Sequence, residues 1–124
     1  MNYQTDRPIY LQVIDDIRQK LIRGEITPGE KLPSVRELAQ QYQINPNTAS
    51  RVYKEMERSG ICFTRRGMGT FITEEDTMMK QIKSEMAAEC LDSFLQTMQM
   101  MGFRLEDMIQ MLTERYEEGR EDNS

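Results

Sequence analysis

The chain has 124 residues, 38% of them hydrophobic and 30% charged, with a formal net charge of −5; that is one domain, or one small domain with an appendage. It contains no histidine and two cysteines, Cys62 and Cys90, which removes the commonest general base and metal ligand and argues against both an enzyme and a disulfide-stapled secreted fold. No run approaches the roughly 20 apolar residues of a membrane helix, and no basic N-terminal stretch precedes an apolar one, so the expectation is a soluble cytoplasmic protein without membrane, metal or cofactor.

The charge is unevenly placed. Through Asp76 there are 11 Lys+Arg against 11 Asp+Glu, and after it 5 against 10, so the acidity belongs to the C-terminal part. Between Lys31 and Thr73 the seven basic residues Lys31, Arg36, Arg51, Lys54, Arg58, Arg65 and Arg66 face only Glu37, Glu55 and Glu57. A polyanion therefore remains a plausible partner for that segment despite the acidic total. Eight of the 11 methionines follow Asp76, a composition shift that divides the chain into segments 1–76 and 77–124.

Taken in chain order, Tyr10, Val13, Ile14, Ile17 and Leu21 fall at helical spacing after Pro8 and before Gly24, predicting a first helix. A turn at 27–30 and an extended Lys31-Leu32-Pro33 follow, because the residue before proline is pushed out of the α region. Ser34 with Glu37 three residues later forms a capping box that opens a short helix with Val35, Leu38, Ala39 and Tyr42 on its apolar face. Asn45 before Pro46 is an N-cap followed by proline at N1, starting a third helix that buries Ala49, Val52, Tyr53 and Met56 and exposes Asn47, Thr48, Ser50, Arg51 and Lys54.

From Ile61 the period changes to two short β-prone runs joined by Arg65-Arg66-Gly67-Met68-Gly69, a hairpin with a basic tip. Beyond Thr77 a helix of about 25 residues carries Ile82, Met86, Ala87, Leu91, Phe94, Leu95, Met98 and Met101 as an apolar stripe. Gly102 breaks it. A second helix places Leu105, Met108, Ile109, Leu112 and Tyr116 on one side, and the acidic residues after Tyr116 read as a frayed, solvated end rather than a metal cluster.

Two short helices across a tight turn, the second polar and basic on its outer face, make a helix-turn-helix, and a basic hairpin directly after it makes a wing. The expected architecture is thus mainly α with a small β wing: an N-terminal winged helix-turn-helix and a two-helix C-terminal dimerisation segment. A winged helix used for protein interaction without specific DNA binding is the alternative, and it lacks a reason for a basic wing and a polar, basic recognition face. The Gly67 and Gly69 spacing leads into a strand, not a helix N-terminus, so it does not suit a nucleotide phosphate. Methionines at helical spacing read as packing rather than a ligand pocket, and both cysteines as buried and inert.

Several ordered motifs resemble those of the GntR family: Pro-Ile-Tyr at 8–10, the stretch from Gly24 through Pro33-Ser34-Val35-Arg36-Glu37-Leu38 to Ala39, Asn-Pro-Asn-Thr at 45–48, and Arg-Arg-Gly-Met-Gly-Thr-Phe at 65–71. The short tail resembles the YtrA-type subfamily. The resemblance implies a bacterial homodimeric regulator, a repressor in most relatives, that binds double-stranded operator DNA through Arg36, Asn47, Thr48, Arg51, Lys54, Arg65, Arg66, Gly67 and Gly69. Many relatives carry Ser-Arg or Thr-Arg where this chain has Asn45-Pro46, so Asn47, Thr48 and Arg51 are expected to carry more of the readout. Dimerisation is assigned to Ile82, Met86, Leu91, Phe94, Leu95, Met98, Met101, Leu105, Met108, Ile109 and Leu112. Any small-molecule effector is expected between subunits or between tail and DNA-binding domain, the tail being too short for a private pocket.

Overall fold

A computed structural model describes the backbone of residues 1–122 and the side chains of residues 1–120. Its elements are α1 (Ile9–Ile22), α2 (Val35–Tyr42), α3 (Pro46–Arg58), β1 (Cys62–Arg65), β2 (Gly69–Ile72), α4 (Asp76–Met100) and α5 (Leu105–Asp122). Packing divides them into two compact units, Met1–Lys83 and the chain from Ser84 on, with the division falling inside α4.

In the first unit α3 packs against α1, α2 and β1. The apolar face predicted for α1 is the one it buries, Val13, Ile14, Ile17 and Leu21, and Leu38, Ala39, Val52 and Met56 meet it from α2 and α3. Gln12 is also buried, and its side chain is fully used: the amide donates to the carbonyls of Gln4 and Arg7 and accepts from the Gln4 N–H, all at 2.8–2.9 Å. The capping box forms as the sequence requires, with Ser34 Oγ accepting from the Glu37 N–H at 3.1 Å and Glu37 accepting from the Ser34 N–H at 3.0 Å. Those bonds hold the Glu37 carboxyl below its usual range. Gln43, in the left-handed region at φ 55°, makes the tight turn to α3, whose first turn is capped by Asn45 accepting from the Asn47 N–H at 2.8 Å.

Buried tyrosines fasten these helices to one another. The Tyr42 hydroxyl donates to Asp16 at 2.6 Å and accepts from Lys20, while Tyr53 donates to the carbonyl of Pro33 at 2.5 Å. Burial pushes the Asp16 carboxyl up, but the hydrogen bonds from Tyr42 and Lys20 outweigh it and keep the group below its normal value.

The strands pair antiparallel with Phe63 opposite Phe71 and Arg65 opposite Gly69. The Lys31-Leu32-Pro33 stretch, expected only to be extended, adds a rung along the free edge of β2. Lys31 bridges Phe71, and the Leu32 N–H donates to Thr70 O at 2.8 Å. Cys62 is buried, and burial raises its thiol to about 12, the unreactive state expected of it. Cys90 departs from expectation: it is exposed on α4.

In the second unit α4 and α5 are joined by a turn at Gly102, where the Phe103 N–H donates to Met98 O at 3.1 Å and Asp107 caps the first turn of α5 through the Arg104 N–H. The segment after Tyr116, read as frayed, continues as helix to Asp122; Asn123 and Ser124 lie outside the described residues, as do the side chains of Glu121 and Asp122. At 18 residues against the 25 of α4, α5 is longer than the apolar spacing alone suggested, because acidic residues with good helix propensity continue it past the last apolar position. No helix among the described residues is long and apolar enough to cross a membrane.

Candidate nucleic-acid interface

Helix α3 presents Asn47, Arg51, Lys54 and Arg58 at i, i+4, i+7 and i+11, all exposed, so one stripe of the helix is polar and basic while Ala49, Val52, Tyr53 and Met56 fill the core behind it. Thr48 and Ser50, on the flanks, are half-buried. Arg58 is the least available of the four, since Glu55 holds its guanidinium at 2.6 Å and raises its pKa further. Arg36 stands exposed in the first turn of α2, where the capping box fixes the backbone that carries it.

The wing is tied to α3 by the Thr64 N–H, which donates to Glu57 at 3.2 Å. Its turn places Arg65, Arg66, Gly67 and Met68 at the exposed tip, closed by the Met68 N–H on Arg65 O at 2.9 Å. Gly67 sits at φ +79° and Gly69 at φ +121°, conformations that residues bearing a Cβ adopt only with strain. A Cβ at Gly69 would lie 2.9 Å from Cε of Lys31, a flexible side-chain end that can move aside, so the positive φ is what calls for glycine there. Arg65 rests near two stacked rings, its guanidinium carbon 5.5 Å from Phe63 and 5.8 Å from Phe71. Arg51 rests closer on another, 3.9 Å above Tyr10 of α1.

The first unit thus carries every candidate DNA residue, on α2, α3 and the wing. Two neighbours went unassigned in the sequence. Lys31 enters the wing through the added rung, a placement for which the only sequence signal is its membership of the basic segment. Tyr10 belongs to the Pro-Ile-Tyr motif and was read as a buried position of α1; it is half-buried, with its ring under Arg51. Among the described residues no group of three or more Cys, Asp or Glu is placed to hold a metal ion.

The dimerisation set divides differently. Ile82, at 1% exposure, is enclosed in the first unit, and Met98 and Met108 are buried in the chain itself, so none of these three offers surface to a partner. Met86 and Phe94 are half-buried, and Leu91, Leu95, Met101, Leu105, Ile109 and Leu112 are exposed.

Residues 9–72 match the family described as bacterial regulatory proteins, gntR family. The chain belongs to the GntR family. It is 47% identical over 108 residues to the HTH-type transcriptional regulator YhcF of Bacillus subtilis, covering 87% of this chain and 89% of that protein. It is 40% identical over 112 residues to the HTH-type transcriptional repressor YtrA of the same organism, covering 90% and 86%. A GntR family transcriptional regulator from Listeria monocytogenes has the same fold at a TM-score of 0.82 and 32% identity, covering 90% of this chain and 98% of that one. The relatives match along nearly their whole length, short tail included. This GntR-family chain is accordingly a winged-helix, DNA-binding transcriptional regulator of bacterial type, and not an enzyme.

Proposed function

We propose that the protein is a cytoplasmic repressor that occupies a two-fold symmetric operator in double-stranded DNA as a homodimer, with residues 1–76 reading DNA and residues 77–124 dimerising. The observation that carries this reading is the exposed stripe of α3, with Asn47, Arg51 and Lys54 pointing out of a helix whose opposite side is core. A helix of that width fits the major groove, where Arg51 and Asn47 suit base edges and Lys54 a phosphate. Arg65 and Arg66 at the glycine-bearing tip suit the phosphates and minor groove alongside, and Arg36 anchors the start of α2.

Support for the homodimer comes from the second unit, whose outward Leu91, Leu95, Leu105, Ile109 and Leu112 form apolar surface that costs about 25 cal/mol per Å² in water. A second copy supplies an identical cover and places two recognition helices on one DNA face about 34 to 36 Å apart, one helical turn. Repression is the activity named for the relative YtrA, and blocking a promoter needs no further domain.

The test is selection of bound duplexes from a random-sequence pool, with sedimentation of the DNA-free protein at tens of micromolar. Enrichment of palindromic sites by a dimer is expected. A monomer, or enrichment of no common sequence, would overturn the proposal.

A further inference from the structure

We propose that Tyr10 is a positioning residue for DNA readout: its ring, in the first turn of α1, fixes the Arg51 guanidinium on the recognition helix before DNA arrives, and thereby sets how sharply the base facing Arg51 is discriminated. This rests on the reading above that Arg51 contacts DNA. The Arg51 guanidinium carbon lies 3.9 Å from the centroid of the Tyr10 ring, contact distance for a cation on an aromatic face. Stacking uses the face of the guanidinium and leaves its N–H donors free, because those lie in the guanidinium plane. Arg51 is exposed, and no ion pair or hydrogen bond with a described residue engages those donors.

The neighbouring cations are placed otherwise. Arg58 is held by a carboxylate of its own helix, which competes for the donors that DNA needs. Arg65 lies 5.5 and 5.8 Å from its two rings, a looser seat suited to following a phosphate. A long flexible side chain that reads a base edge in bidentate geometry loses rotamer freedom on binding, and a ring that restricts it beforehand lowers that loss. Tyr10 itself is well fixed to serve as the shelf: it is half-buried, two residues after Pro8, on a helix that packs against α3. Its aromatic face is what matters, so phenylalanine should serve as well and an aliphatic residue of similar bulk should not.

The experiment measures full-length wild-type protein, Tyr10→Phe, Tyr10→Leu, Arg51→Ala and the double variant Tyr10→Leu/Arg51→Ala on the most enriched selected duplex and on a scrambled duplex of the same composition. Expected is a loss of preference for the selected duplex of about tenfold or more in Arg51→Ala and about two- to fivefold in Tyr10→Leu, no loss in Tyr10→Phe, and no further loss when Tyr10→Leu is added to Arg51→Ala. In the DNA-free wild type, the Arg51 side-chain Nε–H resonance should show an upfield ring-current shift and restricted motion, both abolished in Tyr10→Leu. If Arg51→Ala keeps full preference, the assignment of Arg51 to DNA fails, and with it the inference. If Arg51→Ala loses preference while Tyr10→Leu keeps it, or the Tyr10→Leu loss persists in the Arg51→Ala background, only the positioning role fails. Equal losses in Tyr10→Phe and Tyr10→Leu would make the hydroxyl a direct DNA contact and overturn the proposal. Should Tyr10→Leu not fold, an unshifted, freely moving Arg51 Nε–H in the wild type overturns it alone.

Discussion

The two units solve the same packing problem to different extents. In the first, three helices and the strands enclose Val13, Ala49, Val52, Met56 and Ile72 at 0% exposure, and the polar groups left inside, such as Gln12 and the Tyr42 and Tyr53 hydroxyls, have partners. In the second, Met98 and Met108, on either side of the turn at Gly102, are buried, while Leu105 is 65% and Ile109 55% exposed. An apolar helix stripe that no other element packs against stays in water, so these residues have no cover within the chain. The first unit is closed on itself, and the second keeps apolar surface open, the difference on which the proposed division into a DNA-reading and a dimerising part rests.

The largest effect should come from cutting between them. Ile82 belongs to the first core, so a chain ending at Lys83 should remain folded and monomeric, whereas one ending at Asp76 loses that core residue and should be markedly less stable. Losing the dimer that couples two half-site readers removes an effective concentration worth about 10² to 10⁴ in affinity. Sedimentation and DNA titration of the 1–83 chain check this; dimers with undiminished affinity would refute the separation of tasks.

The next test compares single truncations in each unit. Met56→Ala should cost about 2 to 5 kcal/mol of unfolding free energy at any protein concentration, since it opens a cavity in a closed core. Ile109→Ala should leave the monomer within about 0.5 kcal/mol of wild type and lower the thermal midpoint only at concentrations where the wild type is dimeric. A concentration-independent loss in Ile109→Ala would place that residue in a core rather than at an interface.

Alkali should weaken the first unit through its tyrosines. Burial raises the pKa of Tyr42 and Tyr53 above the ordinary value of 10.0, with the Asp16 carboxylate adding to the effect at Tyr42. The folded state therefore keeps these protons after the unfolded chain has lost them. Stability conferred this way is complete below pH 10 and falls as pH rises above it. Urea titrations of the 1–83 chain between pH 8 and 11 should show that fall, and a Tyr53→Phe variant should show a shallower one. An identical slope in the variant would mean Tyr53 does not contribute.

Much of this was legible in the sequence because it rests on local rules. The caps at Ser34 and Asn45, the glycine turn at 67–69 and the apolar periods of α1 and α3 depend on neighbours a few residues apart, and each element lies where those neighbours put it. What escaped depends on contacts between distant segments. The rung made by Lys31 needs β2, forty residues later, and the seat of Arg51 needs α1; neither has a periodic signature. Ile82 fits the α4 stripe as well as Leu91 does, and only the three-dimensional packing separates the first, enclosed, from the second, exposed. The proposed DNA contacts were reached through motif resemblance, since composition alone would leave Arg36, Arg51 and Lys54 as ordinary solvated charges.

The smallest expected effect distinguishes the charges of the two units. Each phosphate contact contributes about 0.9 to the slope of log affinity against log salt through counterion release. Arg65, exposed at the wing tip and unengaged by any carboxylate among the described residues, should contribute fully, so Arg65→Ala should flatten the slope by about 0.9. Arg115 carries the same charge but lies on α5, in the acidic unit, and Arg115→Ala should leave the slope unchanged. Arg58 falls between: it lies on α3 yet is held by Glu55 at 2.6 Å, and a cation that keeps its carboxylate partner releases fewer counterions. The order Arg65, Arg58, Arg115 in slope lost, measured by titrating one duplex at several salt concentrations, tests whether DNA sees the first unit alone. Equal slopes for Arg65→Ala and Arg115→Ala would mean either that the wing is off the DNA or that the second unit is on it.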